Sequence, residues 1–206
     1  MKSRKNLMEQ LKNLPYFDKA TICQLGSSYG LAKTTIDTYI SRYLKNKEII
    51  QLKRGFYISS DFLNKNKSDI SYSFYLSNIL KTPSYISSWT ALEYYNLTTE
   101  SIHPIVSITP KVTIKFETKA GNFIYQSIQK ELFSDFSLGK GKFNFFIASP
   151  SKALFDLLYF KTHQFRGVKF NEIDNLIKEL RIDILEMDKK EQEKFYLLIK
   201  KFINYE

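Results

Sequence analysis

Between residues 33 and 59 the apolar pattern changes from a helical period to two short strand-like runs separated by three residues, and few folds accommodate that order. Ile36, Ile40, Tyr43 and Leu44 recur at i, i+4, i+7 and i+8, one stripe of a helix facing a core. Lys33, Thr34, Asp37, Thr38, Ser41 and Lys45 fall off that stripe and give the helix a small, polar, hydrogen-bonding face. Glu48-Ile-Ile-Gln-Leu52 and Phe56-Tyr-Ile-Ser59 then read as strands, joined by Lys53-Arg54-Gly55, whose glycine takes the positive φ that a tight hairpin needs.

Upstream, Leu7, Leu11 and Leu14 repeat at helical spacing until Pro15 stops the pattern. Asp18 is placed to cap a second helix running to about Leu25, with Phe17 as its staple, and Gly26, Ser27, Ser28 and Gly30 break the chain before the third. Three helices followed by a basic hairpin is the order of a winged helix-turn-helix, predicted over residues 1–62.

Charge points the same way. Residues 1–67 hold 13 Lys and Arg against 5 Asp and Glu, a net of +8, whereas residues 68–206 hold 18 against 16, a net of +2. A polyanion is therefore the first partner to consider, and double-stranded DNA fits a recognition helix flanked by a wing. Lys33, Thr34, Thr35, Thr38 and Arg42 are the candidate contacts of the third helix, and Lys53 and Arg54 those of the hairpin tip.

Residues 60–70 are polar and read as a linker to a second domain over residues 70–206. There a helix at Ser71–Lys81 precedes a short strand at Tyr85-Ile-Ser87 and a helix over Thr90–Leu97. β-rich segments follow at 104–109, 112–118, 122–128 and 142–148, then a helix opened by Ser149-Pro150 and two more over 171–185 and 193–205. Phe195, Leu198, Ile199 and Phe202 share one stripe of the last. The predicted fold class is α+β, with a mostly antiparallel sheet flanked by helices in the second domain.

Several chemistries find little support. Cys23 is the single cysteine, which excludes an intramolecular disulfide and suits a buried, inert side chain. With His103 and His163 it is too small a set for an ordinary zinc site, and no cofactor is expected. No phosphate-binding loop or nucleophile elbow is present. No apolar run approaches the ~18 residues of a membrane span, and the start is too charged for a signal peptide, so a cytoplasmic protein is expected. Glu117-Thr118-Lys119 matches the E-x-K of metal-dependent nucleases, a weak signal in a charged strand. Asp156, within an apolar helix, is expected to be a satisfied core carboxylate, and Trp89, Tyr94 and Tyr95 are expected to be core aromatics.

Taken in order, LKRGFYIS, PSYISSWTALEYYNL, the short VSIT and IASPSKALFDLLYF resemble the AbiEi antitoxins of bacterial abortive-infection, type IV toxin-antitoxin systems. The resemblance runs from about residue 5 to 185 and is most specific in R-G-x-Y, Arg54 to Tyr57, and in P-x-K-A-L-x-D-L-L-Y, Pro150 to Tyr159. Ser151 stands where Glu is expected, Trp89 replaces a small residue, and Asn96 stands where Gly is usual. The resemblance implies a non-enzymatic repressor that binds inverted repeats in its own promoter. Its second domain would counteract a co-encoded nucleotidyltransferase toxin. The alternatives are a stand-alone regulator with a ligand-sensing or assembly domain, and a nuclease using Glu117 and Lys119.

Overall fold

The computed structural model of the chain describes residues 2–99 and 104–203. Helices α1 (Lys2–Leu11), α2 (Lys19–Ser28) and α3 (Lys33–Lys45) pack around Leu7, Leu11, Ile36, Ile40 and Tyr43, which the periodicity assigns to a core, together with Ile22 of α2. Asp18 caps α2, its carboxylate accepting from the Thr21 amide at 2.7 Å and the Thr21 hydroxyl at 2.8 Å. Gly26 is required where α2 meets α3, because a Cβ there would stand 2.6 Å from the Ile36 Cδ1 atom.

Strand β1 (Phe17–Asp18) adds to the hairpin of β2 (Ile49–Lys53) and β3 (Phe56–Ser59), giving an antiparallel sheet in the order β1-β3-β2. Phe17 is thus opposite Tyr57 across the sheet, a pairing that a two-residue strand leaves unmarked in sequence. Gly55 at the tip has φ of 79°.

The polar stretch expected as a linker is not one. Residues Ser60–Asn66 form helix α4, capped by the Ser59 hydroxyl, which accepts from the Phe62 amide at 3.0 Å. Leu63 and Asn66 are buried beneath it, and Asn66 donates to the Phe62 carbonyl at 2.8 Å. Burial of one leucine together with a cap outweighs the polar composition.

The remaining elements are α5 (Ile70–Leu80), β4 (Tyr85–Ile86), α6 (Ser88–Tyr94), β5 (Ile105–Thr109), β6 (Ile114–Thr118), β7 (Gly121–Ser127), β8 (Phe136–Gly139), β9 (Phe145–Ala148), α7 (Pro150–Lys161), α8 (Ile173–Glu179) and α9 (Lys189–Lys200). The strands form a six-stranded sheet in the order β6-β7-β5-β4-β9-β8. β6 with β7, β5 with β4 and β9 with β8 are antiparallel, but β7 with β5 and β4 with β9 are parallel. The sheet is therefore mixed, because β6 turns the chain back before β7 joins β5, and β4 meets β9 only after four intervening strands. β8, four residues long, lacks an alternating pattern long enough to mark it as a strand in sequence.

Ser149 caps α7 with Pro150 in its first turn, and Ala153, Leu154, Leu157 and Leu158 join Ile108, Ile147, Phe195 and Ile199 in the main core. Asn96, after α6, has φ of 57°, a conformation that asparagine tolerates in place of glycine. A third apolar cluster bridges the two sheets: Leu52 and Ile58 of the hairpin pack with Tyr72, Leu76 and Leu80 of α5 and with Phe123 and Tyr125 of β7. The Tyr72 hydroxyl adds a 2.7 Å bond to the Pro15 carbonyl. The hairpin thus has one side in the first unit and the other in the second.

Candidate nucleic-acid interface

The candidate residues of α3 lie largely where a ligand can reach them. Lys33, Thr34, Thr38 and Arg42 are exposed and Thr35 is half-buried. Thr34, Thr38 and Arg42 are spaced by four and so share one face, opposite the buried Ile36, Ile40 and Tyr43. The Thr38 hydroxyl donates to the Thr34 carbonyl at 3.1 Å, which spends one of its bonds locally.

Two contacts tie that helix to the hairpin tip. The Lys19 amide donates to the Gly55 carbonyl at 3.1 Å, holding the tip against the start of α2. The Lys19 ammonium reaches the Asp37 carboxylate of α3 at 2.7 Å. Lys19, which sequence reasoning did not select, therefore links tip, second helix and third helix. Its only signal is its place directly after the Asp18 cap.

The two tip cations part ways. Arg54 is exposed, whereas the Lys53 ammonium donates to the Leu80 carbonyl at the end of α5, at 2.8 Å, and lies 4.0 Å from the Phe56 ring centre. Burial pushes the Lys53 amine below the ordinary lysine range, and the nearby Lys81 and Lys111 push it further down. Lys53 thus faces the second unit, not outward beside Arg54.

Elsewhere the residues singled out for chemistry are dispersed. Glu117 pairs with Asn122 in the β6–β7 hairpin, and both Glu117 and Lys119 are exposed. Among the described residues no group of three or more His, Cys, Asp or Glu side chains is gathered to hold a metal ion. His103 lies outside the described residues. Cys23 is half-buried rather than buried.

Asp156 is sealed from solvent beside Lys152, one helical turn earlier, and it also accepts from the Ser87 hydroxyl at 2.7 Å and the Tyr85 hydroxyl at 3.1 Å. Burial pushes its carboxyl up, opposed by the ammonium and by both hydroxyls. The expected satisfied core carboxylate is found. Of the three aromatics, Tyr95 donates to the Ala148 carbonyl at 2.9 Å and Trp89 packs on the main core, but Tyr94 is 39% exposed.

No helix among the described residues is long and apolar enough to cross a membrane. No protein-family model matches the chain, and no curated protein matches it at a significant level.

Proposed function

We propose that residues 1–62 are a winged helix-turn-helix that binds double-stranded DNA, with α3 in the major groove and Arg54 at the adjacent backbone or minor groove. The observation that carries this reading is the chain of contacts from Gly55 through Lys19 to Asp37, which joins the exposed Arg54 tip to the polar face of α3. The basic excess of the first third supplies the phosphate attraction.

On the resemblance to AbiEi antitoxins, the DNA is a set of inverted repeats in the protein's own promoter. The protein represses that operon and counteracts a co-encoded nucleotidyltransferase toxin. The lysine and aspartate of the P-x-K-A-L-x-D-L-L-Y block are the buried Lys152 and Asp156 pair, so this most specific block supports the fold rather than a surface.

One feature favours a second reading, a stand-alone regulator with a ligand-sensing second unit. A cavity of about 490 Å³ opens between α5, α6 and β7, lined by residues that include Ile70, Phe74, Tyr94, Ile105, Lys67 and Glu93.

Fluorescence anisotropy of the full chain on promoter and scrambled duplexes at physiological salt tests the DNA reading. A preference of ~10³-fold is expected for an operator-binding protein. Equal affinity for both duplexes removes it. Rescue of growth on co-expression with the neighbouring toxin separates antitoxin from stand-alone regulator.

A further inference from the structure

The cavity between α5, α6 and β7 combines an aromatic lining with one charge of each sign. Phe74 and Tyr94 meet edge to face with ring centres 5.8 Å apart, and Ile70 and Ile105 extend the apolar lining. Phe74 belongs to the main core, but Ile70, which opens α5, is 53% exposed and Tyr94, which closes α6, is 39% exposed. Two large apolar side chains left open to water in one concavity mark a place where the apolar body of a ligand completes the packing. Lys67, shortly before α5, and Glu93, within α6, also line the cavity, so two separate elements bring it a positive and a negative group. No carboxylate among the described residues forms an ion pair with Lys67. The Glu93 carboxylate, with about four acceptor sites, can serve more than one donor. A volume of about 490 Å³ lies within the ~300–1,000 Å³ of small-molecule sites.

We propose that this cavity binds an aromatic α-amino acid, with its carboxylate at Lys67, its ammonium at Glu93 and its ring against Phe74 and Tyr94. The proposal rests on the reading of the second unit as ligand-sensing. A ligand with a single charge leaves the opposite group of the cavity desolvated and unpaired, which is what separates a zwitterion from an aromatic acid or amine of the same size. Helix α5 connects the site with the hairpin. Phe74 lines the cavity on one side of that helix, while Tyr72, Leu76 and Leu80 on another pack with Leu52 and Ile58. An amino acid seated in the cavity therefore bears on the helix that supports the hairpin.

Isothermal titration of the full chain with L-tryptophan, tryptamine and indole-3-propionate, which share a ring and differ in their charged groups, tests the assignment. Tryptophan is expected to bind about tenfold or more tighter than either analogue. Lys67→Gln is expected to weaken tryptophan about tenfold while leaving tryptamine, which has no carboxylate, unchanged, and Lys67→Arg to restore the difference. Glu93→Gln is expected to erase the advantage over indole-3-propionate, and the exposed, remote Lys130→Gln to alter none of the three affinities. Equal affinities for the three compounds overturn the proposal, as does an absence of tryptophan binding or a tryptophan affinity that Lys67→Gln leaves unchanged. Promoter titrations with and without saturating tryptophan keep the readings apart. Tryptophan binding without a shift in promoter affinity removes the sensing reading and leaves the site standing. Promoter preference without tryptophan binding removes the site and leaves the DNA reading standing.

Discussion

Lys152 and Asp156 form an ion pair one helical turn apart on α7, with the lysine 1% and the aspartate 0% exposed. Two charges so far from water are tolerated because Ser87 and Tyr85 satisfy the second carboxylate oxygen while Lys152 takes the first. Removing one partner strands the other. Lys152→Met is expected to destabilise the protein by about 3–5 kcal/mol in urea unfolding, and Lys152→Met/Asp156→Leu to lie closer to wild type than Lys152→Met does. A double variant as unstable as the sum of both single changes contradicts the pairing.

Asp18 offers a pH-dependent counterpart. The Thr21 amide and hydroxyl hold its carboxyl below the usual aspartate range, so its contribution is present above the unfolded pKa of about 3.9 and fades as pH falls through the lower folded value. Asp18→Ala is expected to cost about 1 kcal/mol at pH 7. Urea midpoints at pH 7 and pH 3 check this: the gap between variant and wild type narrows at the lower pH, and an equal gap at both defeats the capping account.

The neighbouring tip cations are expected to separate in experiment. Arg54→Ala leaves stability unchanged and lowers the DNA salt slope by about 1. Lys53→Ala removes the bond to Leu80 and the contact with the Phe56 ring, so it also lowers the melting temperature. Parallel melting curves for both variants decide whether the difference in orientation matters.

Ile58, fully buried between the hairpin and α5, tests whether the two units unfold together. Ile58→Ala is expected to cost about 2–5 kcal/mol and to shift a single transition in the full chain. A first transition that moves while a second stays in place shows instead that the units melt separately.

The first and third helices were legible because each carries an apolar period, and the second helix and the start of α7 because the caps at Asp18 and Ser149 act locally. What escaped was set by distant partners. α4 is polar in sequence and becomes helical over one buried leucine, while the parallel pairings of β5 with β7 and β4 with β9 depend on strand order that no local pattern encodes. At the candidate interface, sequence named Arg54 and the α3 face, but it treated Lys53 as their equal. The acceptor that turns Lys53 aside lies 27 residues away, beyond the reach of any local pattern in the tip.

The hydrophobic side of the hairpin has a consequence for anyone exchanging the proposed DNA-binding head of this protein. A cut after residue 62 divides one core between donor and recipient, leaving Leu52 and Ile58 on one piece and Tyr72, Leu80, Phe123 and Tyr125 on the other. A working graft must carry the facing side chains of α5 and β7 along with the head, so the smallest portable module is discontinuous in sequence.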